Sequence, residues 1–481
     1  MNSAYKSPEN KHRTDAVIEK QASKWPFYFL LGLLIWLPLP MGSNRLWAWT
    51  IMEVWVFSLA AFVLFAIWRG RIITPPALYK ARWVILLMLL WIGYGYLMTV
   101  PMPIAWVEIL SPQAADIYSQ SPLGYNELKF IPLSLDINAS ITESIKNTAY
   151  VIFFVLILIL VNTRKRMKQC VFALILVAVF QSVYGSLMVL SGFEMGFFVE
   201  KEASRGVATG TFINRNHLAG FLEMTLAIGI GFLIGSMSHS KSRATMSQRI
   251  RGIARLLLSK KILLRLCLAI MVIALVLTRS RMGNTAFFTS MLVTALILLV
   301  FMKKKTRSIV ILIGSLIIID ILILGSWFGL EKVKQRIKDT TFATETRDEV
   351  NIYAYQQWRD YWITGSGPGS FYSVFPKYRG EGVSGFFDHA HNDYIEHLSN
   401  TGIIGSALIG SVIVFSLGTG LFMLWRYQSM FKLGMVFGSV MGIISILIHS
   451  TVDFNLHIPA NAVIFMLLLA LPWLTFQCDR Q

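Results

Sequence analysis

The sequence predicts an all-α polytopic membrane protein with about twelve transmembrane helices and a large helical extracytoplasmic loop. Of the 481 residues, 55% are hydrophobic and only 15% are charged, whereas soluble domains carry about 25% charged residues. Apolar runs recur along the chain at lengths near the roughly 20 residues that cross a bilayer. The net charge of +18 is concentrated in short basic segments between these runs, which is typical of cytoplasmic loops rather than of nucleic-acid binding.

The apolar runs divide the chain into predicted spans. A polar, basic segment over residues 1–24 is predicted to be a cytoplasmic tail. A transmembrane bundle of about nine helices follows over 25–328, and 401–481 holds the last three helices and a short cytoplasmic tail. The division between the seventh and eighth spans, near Arg279, is the weakest. The predicted spans cover residues 26–44, 47–68, 82–101, 147–163, 170–191, 216–236, 262–278, 283–302, 308–328, 401–425, 433–450 and 460–477.

The basic residues orient these spans. With the N-terminus in the cytoplasm, twelve spans place both termini there, and the cytoplasmic segments then hold well over half of the 44 Lys and Arg residues, as the positive-inside rule requires. Three polar segments fall outside the cytoplasm, over 102–146, 192–215 and 329–400. We expect them to form an extracytoplasmic cap, since irregular backbone must be covered by protein or water.

The three cysteines imply no disulfide framework. Cys170, Cys267 and Cys478 lie in or beside apolar runs, and none lies in a long polar loop where a pairing or a Cys-based metal site would be expected.

The loop over 329–400 carries the most informative residues. Residues 350–362 are rich in aromatic side chains and predict a helix at the membrane interface. The glycine-rich turn Gly365–Phe371 follows, with Gly367 and Gly369 as candidate substrate-binding residues. Two interpretations stay open for it, a tight turn or a backbone nest that faces a diphosphate. Pro368 lacks a backbone N–H donor, which weakens the interpretation as a nest.

A histidine cluster ends this loop. His389, His391 and His397 are three of the eight histidines in the chain, and they lie within nine residues together with Asn392 and Asp393. A metal site built from His389, His391 and Asp393 requires an extended chain, and no paired carboxylates accompany it, so the sequence favours no metal.

Five motifs resemble those of the bacterial O-antigen ligase and O-antigen polymerase superfamily, and they follow the family order over residues 205–459. The most specific is His391-Asn392 followed after nine residues by Gly402-Ile-Ile-Gly405. The others are Gly210–Gly220, Thr278–Gly283, the Gly365–Phe371 turn and His449–Pro459. The first 200 residues match only in hydropathy.

The resemblance implies a glycosyltransferase-C-like enzyme of the bacterial inner membrane whose active site faces the periplasm. Such an enzyme moves a glycan from an undecaprenyl diphosphate carrier to an acceptor hydroxyl, without a metal or another cofactor. Two activities fit, a ligase that uses lipid A-core as acceptor and a polymerase that extends a growing polysaccharide. A transporter of lipid-linked oligosaccharide is a distant alternative, because it requires charged residues along the bundle and a dispensable loop.

The arginines are the candidates for the leaving diphosphate. Without a metal, fixed cations must stabilise the negative charge that develops there, and the planar guanidinium binds phosphate oxygens in pairs. By position in the family we expect Arg281 and Arg205 to act in catalysis, with Arg347 and Arg279 as binding residues. An anchor at a helix end is the alternative for Arg281, although arginines in a short external turn run against the positive-inside bias.

The histidine and asparagine candidates complete the predicted site. His391 is expected to take the proton from the acceptor hydroxyl, or alternatively to donate a proton to the diphosphate as an imidazolium. Asn392 is expected to orient that ring or a sugar hydroxyl, with His389 as a secondary candidate. Asn214 and Asn216 bind substrate or, equally well, cap the helix that follows.

Overall fold

The structure, a computed structural model, describes residues 23–120, 129–196, 199–201, 204–236, 260–301, 314, 342–380, 383, 387–426 and 429–477. The predicted span 308–328, apart from residue 314, and most of the predicted N-terminal tail lie outside these residues. So do the basic segment over 237–259 and the first part of the predicted long loop, over 329–341.

Helices make up most of the described residues, as the sequence predicts. The α-helices are α1 (Lys24–Trp36), α2 (Leu46–Trp68), α3 (Pro76–Lys80), α4 (Arg82–Leu97), α5 (Ile104–Leu110), α6 (Pro112–Ser119), α7 (Ile137–Leu160), α8 (Arg164–Ser191), α9 (Arg215–Gly235), α10 (Lys260–Leu277), α11 (Arg281–Phe301), α12 (Phe342–Asp360), α13 (Phe371–Val374), α14 (Asp393–Arg426), α15 (Met430–His449) and α16 (Pro459–Leu474). Two antiparallel hairpins pair β1 (Met102–Pro103) with β2 (Phe130–Ile131), and β3 (Met195–Gly196) with β4 (Val199–Glu200).

The length and composition of the apolar helices indicate a multi-pass membrane protein. Within the described residues, seven helices are long and apolar enough to cross a bilayer, and four shorter apolar helices accompany them. Every predicted span except 308–328 overlaps one of these eleven helices, although α1 ends at Trp36 whereas the first predicted span runs to 44. The long helices are α2, α7, α8, α9, α11, α14 and α15, and the shorter ones are α1, α4, α10 and α16.

Two helices begin earlier than the apolar pattern predicts. Helix α7 starts at Ile137, where Asp136 caps it by accepting a 2.9 Å hydrogen bond from the Ala139 N–H, although the predicted span starts at 147. Helix α14 starts at Asp393 rather than 401. In both helices the first turns are polar, and hydropathy detects only the apolar part of a helix that continues above the membrane.

Helix α9 is the centre of the bundle. It is buried along its apolar length and packs against α15. The two backbones approach closely where glycines face each other, because a Cβ on Gly231 would lie 2.8 Å from the Cα of Gly438. Small residues allow this kind of contact between membrane helices. The helices run antiparallel, so the start of α9 and the end of α15 meet at the same end of the bundle.

Helix α14 is broken at Gly402, where the backbone takes φ 60° and ψ −166°. The break receives the glycine-rich turn, since the Ile403 N–H donates to the Trp362 carbonyl and the Gly367 N–H donates to the Asn400 carbonyl, each at 2.9 Å. A Cβ on Gly402 would overlap the carbonyl of Ile363. The family motifs around Gly365 and Gly402 thus form one packed junction.

Candidate active site

His391 precedes α14 and faces a buried carboxylate. Its backbone φ is +53°, a left-handed conformation that is uncommon outside glycine. Its Nδ1 lies 3.6 Å from Oδ1 of Asp453, and its side chain is 18% exposed whereas that of Asp453 is 0% exposed. The same oxygen accepts a 2.9 Å hydrogen bond from the Phe454 N–H and lies 3.9 Å from Nε2 of His217. Oδ1 of Asp453 therefore lies near two imidazoles that come from distant parts of the chain.

The nearby imidazoles favour the ionised form of Asp453. Burial alone would raise the pKa of Asp453, but the neighbouring rings of His391 and His217 keep this pKa well below its usual range. A buried carboxylate that remains ionised can fix an imidazole in one tautomer and stabilise the imidazolium that forms when it takes up a proton. The 3.6 Å separation is longer than a hydrogen bond.

Phe454 orders the histidines around this carboxylate. Its ring centre lies 4.3 Å from that of His389, 4.7 Å from that of His217 and 4.9 Å from that of His391. The contact with His389 is stacked and the other two are edge-on. Phe454 was not predicted from the sequence, because an apolar side chain in a motif shows no chemical signal.

A second group of polar side chains lies on the other side of His389. Its Nδ1 is 2.7 Å from Oε1 of Glu396, and Nε2 of His457 is 3.3 Å from the same oxygen. Burial lowers the pKa of His389, but the charge and hydrogen bond of Glu396 outweigh it and raise this pKa. Burial also lowers the pKa of His457, and there Glu396 opposes the effect without reversing it. His389 and His391 thus face different carboxylates, so the metal set of His389, His391 and Asp393 that the sequence raised is not brought together.

The predicted asparagines lie at helix starts. Asn392 caps α14, because its Oδ1 accepts hydrogen bonds from the N–H groups of Tyr394 (3.0 Å) and Ile395 (3.2 Å). Asn214 caps α9 by accepting a 2.9 Å bond from the Asn216 N–H. These caps place His391 and His217 at their helix ends, while contact of the asparagines with substrate stays a prediction.

Arg279 and Arg281 lie in the turn between α10 and α11, and both are exposed. Arg281 is the first residue of α11, and Arg279 has a left-handed backbone with φ 52°. Two residues further on, a Cβ on Gly283 would lie 2.6 Å from that of Ala219 and 3.1 Å from the His449 ring. The turn therefore lies against the start of α9 and the end of α15, which carry His217 and His449.

Arg205 belongs to a separate folded loop. It donates from Nε to the Lys201 carbonyl at 2.9 Å and pairs with Glu200 at 2.9 Å, and it is exposed. The loop is held by Glu194, which pairs with Nζ of Lys201 at 2.7 Å and accepts from the Gly206 N–H at 2.6 Å. The Ala208 N–H then donates to the carbonyl of Leu277, which brings the end of the loop close to Arg279.

The remaining predicted residues have other surroundings. Arg347 lies in α12, within 341–348, whose side chains are outside the described residues. Gly367 and Gly369 pack their turn against α7, where a Cβ on Gly369 would lie 3.2 Å from the Ala139 carbonyl. Packing accounts for both glycines, and their contact with substrate stays a prediction.

A cavity of about 330 Å³ extends from the site into the bundle. Glu143, Asp393 and His457 line it near the histidine cluster, whereas Ile413 and Phe465 line its apolar part. One region of this cavity therefore suits a polar group, and another suits a hydrocarbon chain.

Part of the chain that carries these residues matches a known protein family. Residues 266–410 match the protein family described as O-antigen ligase. This part of the chain is similar to the O-antigen ligase family. The resemblance inferred from the motifs is confirmed, and the O-antigen ligase segment includes Arg279, Arg281, His389 and His391. Arg205, His217 and Asp453 lie outside it. A search of curated proteins finds no match.

Proposed function

We propose that this protein is a glycosyltransferase of the bacterial inner membrane that works on the periplasmic side. It moves a glycan from an undecaprenyl diphosphate carrier to the hydroxyl group of lipid A-core, as an O-antigen ligase. The observation that carries the proposal is the partly exposed imidazole of His391, which faces the buried Asp453 at 3.6 Å. The O-antigen ligase family match supports the class of substrate.

His391 acts as general base in this mechanism. Asp453 keeps the proton of the imidazole on Nδ1, so Nε2 is free to accept the proton of the acceptor hydroxyl. The hydroxyl oxygen then forms a bond with the anomeric carbon as the bond between that carbon and the carrier diphosphate breaks. Asp453 stabilises the resulting imidazolium, and His217 and Phe454 hold both groups in place.

The arginines stabilise the departing diphosphate. Arg281 and Arg279 offer exposed guanidinium groups at the start of α11, where the helix dipole adds positive potential. Arg205 approaches from the neighbouring loop, and Arg347 comes from α12. Fixed cations of this kind stabilise charge that develops in the transition state without reorganisation. The diphosphate therefore needs no metal ion at this position.

The cavity beside the site fits the lipid part of a substrate. Its polar lining at Asp393 and His457 lies next to the reacting groups, and its apolar part lies among α14, α15 and α16. A substrate with a polar head and a hydrocarbon chain matches both parts.

The test is a transfer assay with purified protein in detergent and no added divalent metal. The donor is an undecaprenyl diphosphate-linked oligosaccharide, and the acceptors are lipid A-core and a second molecule of the same lipid-linked glycan. A product on lipid A-core supports the ligase. Products that grow in length on the carrier would instead identify a polymerase, and an absence of transfer to either acceptor would contradict the proposal.

A further inference from the structure

Metal-binding atoms of four side chains lie close together beside the cavity, which Asp393 and His457 also line. Nδ1 of His389 lies 2.7 Å from Oε1 of Glu396, and Nε2 of His457 lies 3.3 Å from that oxygen and 3.7 Å from Oδ1 of Asp393. The donor atoms of His389, Glu396 and His457 all lie within 4.8 Å of one another. A tetrahedral ion with bonds of about 2.0–2.2 Å separates its ligands by roughly 3.3–3.5 Å, so small movements would bring these atoms around one ion.

Asp393 supplies an independent sign of a missing ligand. Its Oδ2 accepts from the Ser450 hydroxyl at 2.6 Å and from the Leu456 N–H at 3.3 Å. Its Oδ1 is buried and has no hydrogen-bond partner among the described residues, and the side chain is only 9% exposed. A buried carboxylate oxygen that lacks a hydrogen bond is costly, and this one lies 3.7 Å from Nε2 of His457.

We propose that His389, Glu396 and His457 bind a zinc ion, and that Asp393, which lies near His457 but outside this group of mutually close donors, turns towards the ion as the fourth ligand. Two imidazoles and two carboxylates suit Zn²⁺, which takes nitrogen and oxygen ligands in tetrahedral sites. The two histidine side chains keep 27% and 17% exposure, which leaves the ion a route from the surface. This site goes beyond the proposed transfer reaction, in which the arginines bind the diphosphate.

The ion has a positioning role in this arrangement. It joins the segment before α14 to the turn between α15 and α16, since His389 lies on the first and His457 on the second. His391 is two residues from His389 and faces Asp453, four residues before His457. Holding the two segments together therefore holds the distance between the imidazole of His391 and its carboxylate.

The experiment measures zinc binding by the full chain without an affinity tag. Protein treated with chelator is titrated with Zn²⁺ by calorimetry, and with Co²⁺ to record the absorption of a tetrahedral site. We expect about one zinc per chain, and at least a 10–100-fold loss of affinity in His457→Ala and Glu396→Gln, on the order of the loss seen when supporting residues are removed.

His397→Ala is the matched control. This histidine lies one residue after Glu396, and its ring packs on Trp91, so the variant should bind zinc like the unchanged protein. Asp393→Asn provides a further ligand variant if another one aggregates. Failure of the unchanged protein to take up zinc, or equal affinity in the ligand variants and the control, would overturn the proposal.

Discussion

Asp453→Asn tests whether the buried carboxylate positions His391 for proton transfer. The amide keeps an oxygen for the 2.9 Å hydrogen bond from the Phe454 N–H, but it removes the charge that lies 3.6 Å from Nδ1 of His391. Two unit charges at that separation interact by about 4–5 kcal/mol at an effective dielectric constant of about 20. His391 is partly exposed and solvent screens part of this energy, so we expect a transition-state loss of about 2–3 kcal/mol, or about 10²-fold in kcat.

The assay measures initial rates of glycan transfer over a range of lipid-linked donor concentrations, which gives kcat and KM separately. The KM for the donor should change little, because the arginines rather than Asp453 bind the diphosphate in this mechanism. Asp388→Asn is the control, since it removes an exposed carboxylate from the segment that carries His391. If both variants turn over at the same rate and are equally folded, Asp453 does not position the base.

Three further predictions concern the arginines, the junction and the loop of Arg205. Arg281→Gln should lower kcat/KM by about 10²–10³-fold, as loss of a fixed donor does, whereas Arg359→Gln, an exposed arginine in α12, should not. Gly402→Ala should destabilise the protein by about 2–4 kcal/mol from strain and overlap, measured by thermal unfolding in detergent. Gly410→Ala in the same helix, where a Cβ meets nothing within 4 Å, should be neutral or stabilising, and equal effects would contradict the junction. The hydrogen bonds from Lys201 and the Gly206 N–H lower the pKa of Glu194. The stabilisation from Glu194 is therefore present above the unfolded value of about 4.3 and is lost as the pH falls towards the folded value, so amide exchange over 194–207 should increase in acid. Glu194→Gln should abolish that pH dependence, and if it persists unchanged the ion pair does not hold the loop.

Much of the fold follows from the sequence because the membrane imposes a simple pattern. Apolar runs predicted eleven helices that the structure describes. The residues that cap α7 and α9, Asp136 and Asn214, are of the types that N-cap positions prefer. The starts of α7 and α14 were placed too late, since hydropathy reports contact with lipid and not helix length. The break at Gly402 was also not predicted, because it depends on a turn that packs from another segment.

The candidate site was only partly predictable. His391 and His389 stood out through their clustering, and Arg281 through an unusual external charge. The pairing of His391 with Asp453 and of His389 with Glu396 and His457 depends on how α14, α15 and α9 meet, which no local pattern contains. The metal ligands considered from the sequence, and not favoured there, all lie between His389 and Asp393. The fold instead brings His389 and Glu396 together with His457 from a distant segment.

The most direct test of the account is the rate of glycan transfer by His391→Ala. In the purified protein, with lipid-linked donor and lipid A-core, we expect transfer to be nearly abolished while the variant still inserts, purifies as a single species and binds donor. Transfer at the rate of the unchanged protein would contradict the assignment of His391 as the catalytic base.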